Sequence, residues 1–122
     1  MTVLEVKRKA LPKSVRIAVY QKCNGHCAYC GCDLQYKDMQ VDHVIPLNGW
    51  NEQGTDTVDN MLPACRSCNH YKSRSTLEGF RKMVEAMPDT LMRDNVTYKN
   101  AVRFGLVIPN KKPVIFYFEK IN

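Results

Sequence analysis

Two Cys-x-x-Cys pairs constrain this chain more than any other feature of its sequence. The pairs are Cys27/Cys30 and Cys65/Cys68, and 34 residues, 31–64, lie between them. Two thiolates separated by two residues can reach one metal ion, and a tetrahedral Zn²⁺ ion takes four such ligands. We therefore predict that the four cysteines hold one structural zinc and close a long loop, so that metal binding and folding are coupled.

Two further cysteines, Cys23 and Cys32, have no Cys-x-x-Cys partner of their own. Either could replace one of the four, but we interpret both as spare thiols near the site. A secreted disulfide protein is the alternative reading of six cysteines, and it would need a secretion signal. The N-terminal sequence MTVLEVKRKA lacks the hydrophobic run of such a signal, and no stretch has the apolar length of a membrane span. We expect a cytoplasmic protein with no membrane partner.

The charge balance favours a polyanionic partner. The chain has 122 residues, which fits one domain, and its formal net charge is +6. A positive charge does not identify a partner by itself, because many soluble basic proteins bind no polyanion. Its distribution is more informative, since basic residues flank the loop on both sides. They are Lys7, Arg8, Lys9, Lys13, Arg16 and Lys22 on one side and Arg66, Lys72, Arg74, Arg81 and Lys82 on the other.

The local patterns predict a strand, a polar loop, a second strand and a short helix between the cysteine pairs. Residues 39–45 are β-branched and mostly apolar, and Pro46 ends them. Residues 48–59 are rich in turn formers, 60–64 return as a strand, and a helix begins near Arg66 or Ser67. Asp42 and His43 are adjacent, and successive strand side chains point to opposite faces. A local distortion, or a partner approaching from each side, must bring both to one reaction centre.

Helices are predicted on both sides of this unit. Ser14 is expected to cap a helix over 15–23, and the box Ser75-Thr-Leu-Glu78 opens another that Pro88 ends. Asp94 is expected to cap a helix that ends before Gly105, and residues 106–118 to form a terminal hairpin. The three expected segments are a basic N-terminal arm, 1–13, a core, 14–88, and a C-terminal helix and strand extension packed on the core, 89–122.

Four motifs in this order resemble those of a known family. They are Cys27-Ala-Tyr-Cys30-Gly31, Val41-Asp42-His43-Val44-Ile45-Pro46, Asp59-Asn60-Met61-Leu62 and Cys65-x-x-Cys68-Asn69-x-x-Lys72. Together they resemble the zinc-knuckle branch of the HNH endonuclease family, in particular its small phage and bacterial members. The resemblance implies an α+β fold, a small ββα-metal domain stapled by a zinc site of four cysteines. Flanking helices and the C-terminal β hairpin complete the expected architecture.

The resemblance also implies roles for three residues. His43 corresponds to the general base that takes a proton from the attacking water, and an imidazole, with an unperturbed pKa of about 6.5, is mostly neutral at pH 7. Asp42 corresponds to a metal ligand, because a hard carboxylate oxygen suits Mg²⁺ or Mn²⁺. Asn60 corresponds to the asparagine that ties the loop to the backbone of the histidine and orients its ring.

The sequence departs from the commonest family pattern directly after the last cysteine. The family often has histidine there, whereas this chain has Asn69 followed by His70. We favour Asn69 as the second metal ligand, because its spacing to Lys72 matches the family and adjacent helix residues diverge by roughly 100°. An oxygen ligand favours Mg²⁺, and a histidine would admit Mn²⁺ or Ni²⁺ more readily. Lys72, Arg66 and Arg74 are expected to contact phosphates.

The function that these resemblances imply is metal-dependent hydrolysis of DNA phosphodiester bonds, by nicking or by double-strand cutting. One divalent ion would serve the reaction, which would leave 5′-phosphate and 3′-hydroxyl ends, and no small-molecule substrate is expected. The alternatives are a zinc-containing DNA-binding module without activity and an accessory protein of a phage DNA-processing complex. A homodimer or a phage packaging partner is compatible with each of these three functions.

Overall fold

The computed structural model describes residues 10–50 and 52–121. Most of the predicted basic arm, including Lys7, Arg8 and Lys9, lies outside the described residues. The chain forms two compact units. The first runs to Leu77 and resumes at Ile115, and the second is Glu78–Val114. Within the described ranges, no helix combines the length and the apolar character needed to cross a bilayer.

The described chain combines helices with one small sheet, which confirms the predicted α+β class. The strands are β1, Gln40–His43, and β2, Met61–Ala64. The helices are α1, Lys13–Gln21, α2, Arg66–Lys72, α3, Leu77–Glu85, α4, Met87–Asp94, α5, Val96–Arg103, and α6, Tyr117–Lys120. Single 3₁₀ turns, Tyr36–Asp38 and Val58–Asn60, precede the two strands.

The two strands and α2 form a ββα unit between the cysteine pairs. β1 and β2 are antiparallel, with Gln40 opposite Ala64 and His43 opposite Met61. A proline, Pro63, is tolerated in β2 because a two-stranded sheet consists only of edges. α2 follows β2 directly, and its N-cap is Cys65, whose thiol accepts a hydrogen bond from the Cys68 amide at 3.4 Å. The second cysteine pair therefore also begins the helix.

Helix α1 covers this sheet and completes the core of the first unit. Its one fully buried residue, Val19, packs with apolar residues from the loop and from both strands. The buried cluster consists of Val19, Leu34, Met39, Val41 and Met61. The predicted Ser14 cap is wrong, because α1 begins at Lys13, two residues before the predicted start, with Pro12 at its N-cap position and no side-chain cap. Proline is compatible with a helix start, where its missing N–H has no helical partner.

The predicted C-terminal β hairpin is also wrong. Residues 107–116 form no regular element, and the aromatic run ends in the short helix α6. The chain instead packs against the first cysteine pair: the Tyr117 amide donates to the Tyr29 carbonyl at 3.1 Å and the Phe118 amide to the Ala28 carbonyl at 2.8 Å. Phe116 is buried edge-on to Tyr29. An apolar aromatic run of this length does not distinguish a strand from a segment that covers another element.

The second unit is helical. The helix that Pro88 was predicted to end is α3, which already ends at Glu85. Pro88 itself lies in the first turn of the next helix, α4. The residue that caps α5 is Asn95 and not Asp94: its side-chain oxygen accepts from the Tyr98 amide at 2.8 Å. Asparagine is as good an N-cap as aspartate, so neighbouring candidates are hard to separate in a sequence.

Candidate functional site

The four cysteines of the two pairs converge in the first unit. Their sulfur atoms all lie within 4.8 Å of one another, and the sulfurs of Cys30 and Cys65 are 3.9 Å apart. Tetrahedral coordination with Zn–S bonds of about 2.3 Å requires sulfur separations of about 3.8 Å. The four thiols therefore have the arrangement of a site that could hold a metal ion.

The backbone around this cluster supports thiolate ligands. The Cys27 sulfur accepts the Cys65 amide at 3.3 Å. A hydrogen bond from the Cys68 thiol, followed by those from backbone amides, lowers the pKa of Cys27 to about 4. Gly31 permits the turn after the first pair, because its φ of 78° is in the left-handed region. The thiol that is most buried is thus also the one most readily ionised.

The two cysteines interpreted as spare thiols lie outside the cluster. Among the described residues, the group that could hold a metal consists of the paired cysteines alone. Cys23 is buried in the core, where burial raises the pKa of its thiol, and Cys32 is exposed. Their positions provide a matched pair of controls for the cysteines in the cluster.

Asn60 clamps the backbone that leaves β1. Its side-chain oxygen accepts from the Ile45 amide at 2.9 Å, and its side-chain nitrogen donates to the carbonyls of Ile45 at 2.9 Å and Thr55 at 2.8 Å. The Val44 amide donates to the Asn60 carbonyl at 2.9 Å. The residues that follow His43 are held to the second strand and to the polar loop by one buried amide.

A glycine that the sequence did not single out makes this clamp fit. A Cβ atom at Gly54 would lie 1.8 Å from the Ile45 carbonyl oxygen and 2.8 Å from the Asn60 side-chain nitrogen. Both distances are shorter than a Cβ contact can be, so a larger residue would displace the clamp. A glycine within a turn-rich loop gives no signal of such a close approach, because loops contain glycine for many reasons.

His43 is nearly buried, and one of its ring nitrogens contacts a carboxylate. Its side chain is 5% exposed, and Nε2 lies 2.8 Å from Oδ1 of Asp56, whose side chain is 42% exposed. Sequence reasoning missed Asp56, which lies in the polar loop with Asp59 only three residues away. Nothing in the spacing distinguishes the two aspartates, since the contact depends on how the loop folds back onto β1.

Asp42 is buried in a network of polar groups. Its carboxylate lies 3.2 Å and 3.4 Å from the Lys72 ammonium and accepts a hydrogen bond from the Tyr29 hydroxyl. Burial raises the pKa of Asp42, and the neighbouring ammonium of Lys72 opposes that shift. Burial and the carboxylate also raise the pKa of Tyr29, so its hydroxyl stays a donor. Tyr29 lies within the first cysteine pair and connects it to Asp42.

The position of Lys72 corrects the prediction that it contacts phosphate. Its side chain is 0% exposed, and its ammonium donates to the His43 carbonyl at 3.1 Å as well as to Asp42. A buried ammonium requires such partners because desolvation of an unpaired charge is costly. Lys72 therefore braces the two adjacent residues of β1 and does not face the solvent.

The structure brings Asp42, His43 and Asn69 to one cavity of about 320 Å³, to which Arg74 also contributes. Asn69 donates through its side-chain nitrogen to the Gln40 side-chain oxygen at 2.6 Å. His70 is exposed, with its ring edge-on to Tyr71 at 6.1 Å. Arg66 is exposed in the first turn of α2. Of the two candidates for the second ligand position, Asn69 lines the cavity.

A comparison with protein families matches residues 27–75 to the HNH endonuclease model. The matched stretch includes both cysteine pairs and the cavity-lining residues of β1 and α2. Over 55 residues the chain is 33% identical to the CRISPR-associated endonuclease Cas9 of Corynebacterium diphtheriae. The match covers 45% of this chain and 5% of that protein. Over 62 residues the chain is 29% identical to the "SPbeta prophage-derived putative HNH endonuclease YoqL" of Bacillus subtilis. This match covers 43% of this chain and 27% of that protein.

A solved structure has a similar fold. The crystal structure of the Type II-C Cas9 enzyme from Actinomyces naeslundii matches 64% of this chain and 9% of its own, with a TM-score of 0.52 and 22% sequence identity. At that identity the likeness concerns the fold alone. The chain spans only a small part of the length of these relatives.

Proposed function

We propose that residues 27–75, which match the HNH endonuclease model, form a domain that hydrolyses DNA phosphodiester bonds with the help of a divalent metal ion. The observation that carries the proposal is the convergence of Asp42, His43 and Asn69 on one cavity. Metal-assisted hydrolysis requires oxygen ligands for the metal beside a base, and a carboxylate, an amide oxygen and an imidazole can supply these groups. The Asn60 clamp supports their fixed placement.

His43 is the general base in this mechanism. The imidazole takes a proton from a water molecule as the water oxygen bonds to phosphorus and the bond from phosphorus to the 3′ oxygen breaks. The departing oxygen gains a proton from solvent water, so the products carry a 5′-phosphate and a 3′-hydroxyl. In the tautomer that this mechanism uses, Nε2 of His43 carries the proton and donates it to the Asp56 carboxylate 2.8 Å away, and Nδ1 carries the basic lone pair.

Asp42 and Asn69 would hold the divalent ion through oxygen atoms. Their donor set fits a hard cation such as Mg²⁺ or Mn²⁺, since carboxylate and amide oxygens are the ligands these ions prefer. Such an ion supplies Lewis-acid stabilisation of charge on the phosphate and the leaving oxygen. Lys72 and Tyr29 restrict the Asp42 carboxylate to one orientation, because both donate to it from the protein side. They are positioning residues.

The four cysteines would hold a structural zinc that is separate from the reaction. Thiolates are soft ligands that select Zn²⁺, whereas the oxygen donors of the cavity favour harder ions. The zinc would fix the two ends of the loop that carries His43 and Asn60. It would also fix Tyr29, which lies between the two cysteines of the first pair and contacts Asp42.

The direct test is relaxation of supercoiled plasmid by the purified protein across a series of metals. We expect cleavage with Mg²⁺ or Mn²⁺ and none with EDTA at a concentration that leaves the zinc bound. Metal analysis of the EDTA-treated protein provides the control, because it separates loss of the reaction metal from loss of zinc. Cleavage that persists in EDTA, or no cleavage with any divalent ion, would contradict the proposal.

The Asp56 contact leads to a prediction for the rate. Replacing Asp56 with alanine removes the acceptor that orients His43, and we expect kcat to fall roughly ten- to hundredfold, the scale of a small misplacement of a reacting group. Asp56→Asn keeps an oxygen acceptor and should lose less. Single-turnover cleavage measures the effect.

Asp59→Ala is the matched control for this prediction, because Asp59 lies in the same loop with its carboxylate on Thr57. The melting temperature should stay at its unsubstituted value in all three variants. Equal cleavage rates for Asp56→Ala and Asp59→Ala would show that Asp56 does not orient the base.

A further inference from the structure

A second cavity also borders His43. Its volume is about 430 Å³, within the range of about 300–1,000 Å³ that is common for ligand sites. His43 and Asn69 line this cavity as well as the first one. The two cavities are therefore neighbours that share the proposed base and one proposed metal ligand. The described residues that supply charge to the second cavity are Arg16 and Asp56, beside His43 itself.

The guanidinium of Arg16 is held in place by its surroundings. It donates through Nη2 to the Met39 carbonyl at 3.2 Å and lies over the Tyr36 ring, 5.5 Å from the centroid. Arg16 belongs to α1, and α1 packs on β2. The guanidinium is therefore positioned by a packed helix and not by a loop. A guanidinium has five N–H donors, and its planar geometry matches a phosphate.

Two other polar side chains of the second cavity have partners within the protein. The Gln40 side-chain oxygen accepts from Asn69, and the Asp56 carboxylate contacts His43 Nε2 at 2.8 Å. Asp56 would repel a phosphate placed directly against it. A phosphate in this cavity is therefore expected on the Arg16 side, where the guanidinium is the nearest charge that α1 supplies.

We propose that the DNA strand being cut passes through both cavities, with Arg16 binding a backbone phosphate on one side of the scissile bond and Arg74 binding one on the other. The inference rests on the proposed function, because it takes the shared boundary at His43 and Asn69 as the place of cleavage. It assigns Arg16 a binding role that its hydrogen bond to Met39 alone does not require. The two arginines are then the ends of one path.

Salt-dependent binding tests the path without cleavage. Both proteins carry His43→Ala, and one also carries Arg16→Gln, which removes the charge. The slope of log Kobs against log salt is negative, and loss of one phosphate contact on duplex DNA decreases its magnitude by about 0.9. We expect this decrease for Arg16→Gln, an unchanged slope for Arg16→Lys, and an unchanged slope for the control Arg103→Gln on α5. Thermal melting verifies that each variant is folded.

A scan with neutral methylphosphonate linkages locates the contacts. In the His43→Ala protein, substitutions at one position on each side of the scissile bond should weaken binding. Arg16→Gln should remove the sensitivity on one side, and Arg74→Gln the sensitivity on the other. If Arg16→Gln does not fold, the scan of the His43→Ala protein still decides the question, since sensitivity on one side only would overturn the path.

Equal salt slopes and equal methylphosphonate sensitivity with and without Arg16, or no DNA binding by either protein, would overturn this inference. The proposed function fails separately. If the unsubstituted protein cuts no DNA while the Arg16 effects on binding remain, the path stands and the catalytic assignment does not. If the protein cuts DNA and Arg16→Gln has no effect, the reverse holds.

Discussion

His43→Ala is expected to lower the rate of DNA cleavage by about two to four orders of magnitude, the range that general acid–base catalysis contributes. The variant loses the group that accepts the proton of the attacking water in the proposed mechanism. DNA affinity and zinc content should be retained, because the four cysteines and the arginines are unchanged. Single-turnover cleavage of a labelled duplex in Mg²⁺, with binding measured in parallel, determines both quantities.

His70→Ala is the matched control for this variant. His70 follows the proposed ligand Asn69 directly but is exposed beside Tyr71. We expect the His70→Ala protein to cleave DNA at the unsubstituted rate. The Asn69→Ala protein should require a higher Mg²⁺ concentration for cleavage. A His43→Ala protein that nicks DNA as fast as the unsubstituted one would contradict the assignment of the base. A loss of activity in His70→Ala that added Mn²⁺ restores would instead move the metal ligand to His70.

Cys27→Ser is expected to remove the bound zinc and to unfold the first unit. Structural zinc contributes about 10–16 kcal/mol of apparent binding free energy in small zinc domains, as much as the about 5–15 kcal/mol that stabilises a typical domain. Cys27 is fully buried among the four sulfurs, and its thiol is the one most readily ionised. Metal analysis and a thermal melt followed by circular dichroism measure the two effects.

Cys32→Ser provides the comparison, because Cys32 lies beside the first pair but is exposed and outside the cluster. It should bind one zinc per chain and melt at the unsubstituted temperature. A Cys27→Ser protein with one zinc and an unchanged melting temperature would show that the four cysteines do not form the structural site. A loss of zinc in both variants would assign Cys32 to the ligand set.

The parts of the fold that follow from local spacing could be predicted from the sequence. Two Cys-x-x-Cys pairs, a strand before Pro46 and a helix that begins near Arg66 or Ser67 can be predicted from neighbouring residues alone. The structure has the sulfurs together and the elements in the predicted order. The N-cap residues differ from the predicted ones by two positions at Pro12 and by one position at Asn95, because neighbouring residues in the sequence are also compatible with a helix start.

The contacts between distant segments could not be predicted. Lys72 was expected to contact phosphate, yet its ammonium lies between Asp42 and the His43 carbonyl, about thirty positions away along the chain. Asp56 depends in the same way on the path of the polar loop. The aromatic C-terminal run was expected to pair with itself, and instead its amides bond to the carbonyls of Tyr29 and Ala28.

The reaction products test the central claim most directly. Supercoiled plasmid is incubated with the purified protein and Mg²⁺, and the nicked circles are then treated with DNA ligase, which joins only a 5′-phosphate to a 3′-hydroxyl. The mechanism assigned to Asp42, His43 and Asn69 predicts nicks that ligase reseals. His43→Ala should lower the rate at which the nicks form by about two to four orders of magnitude. Intact plasmid in every divalent metal, or nicks that ligase cannot reseal, would contradict it.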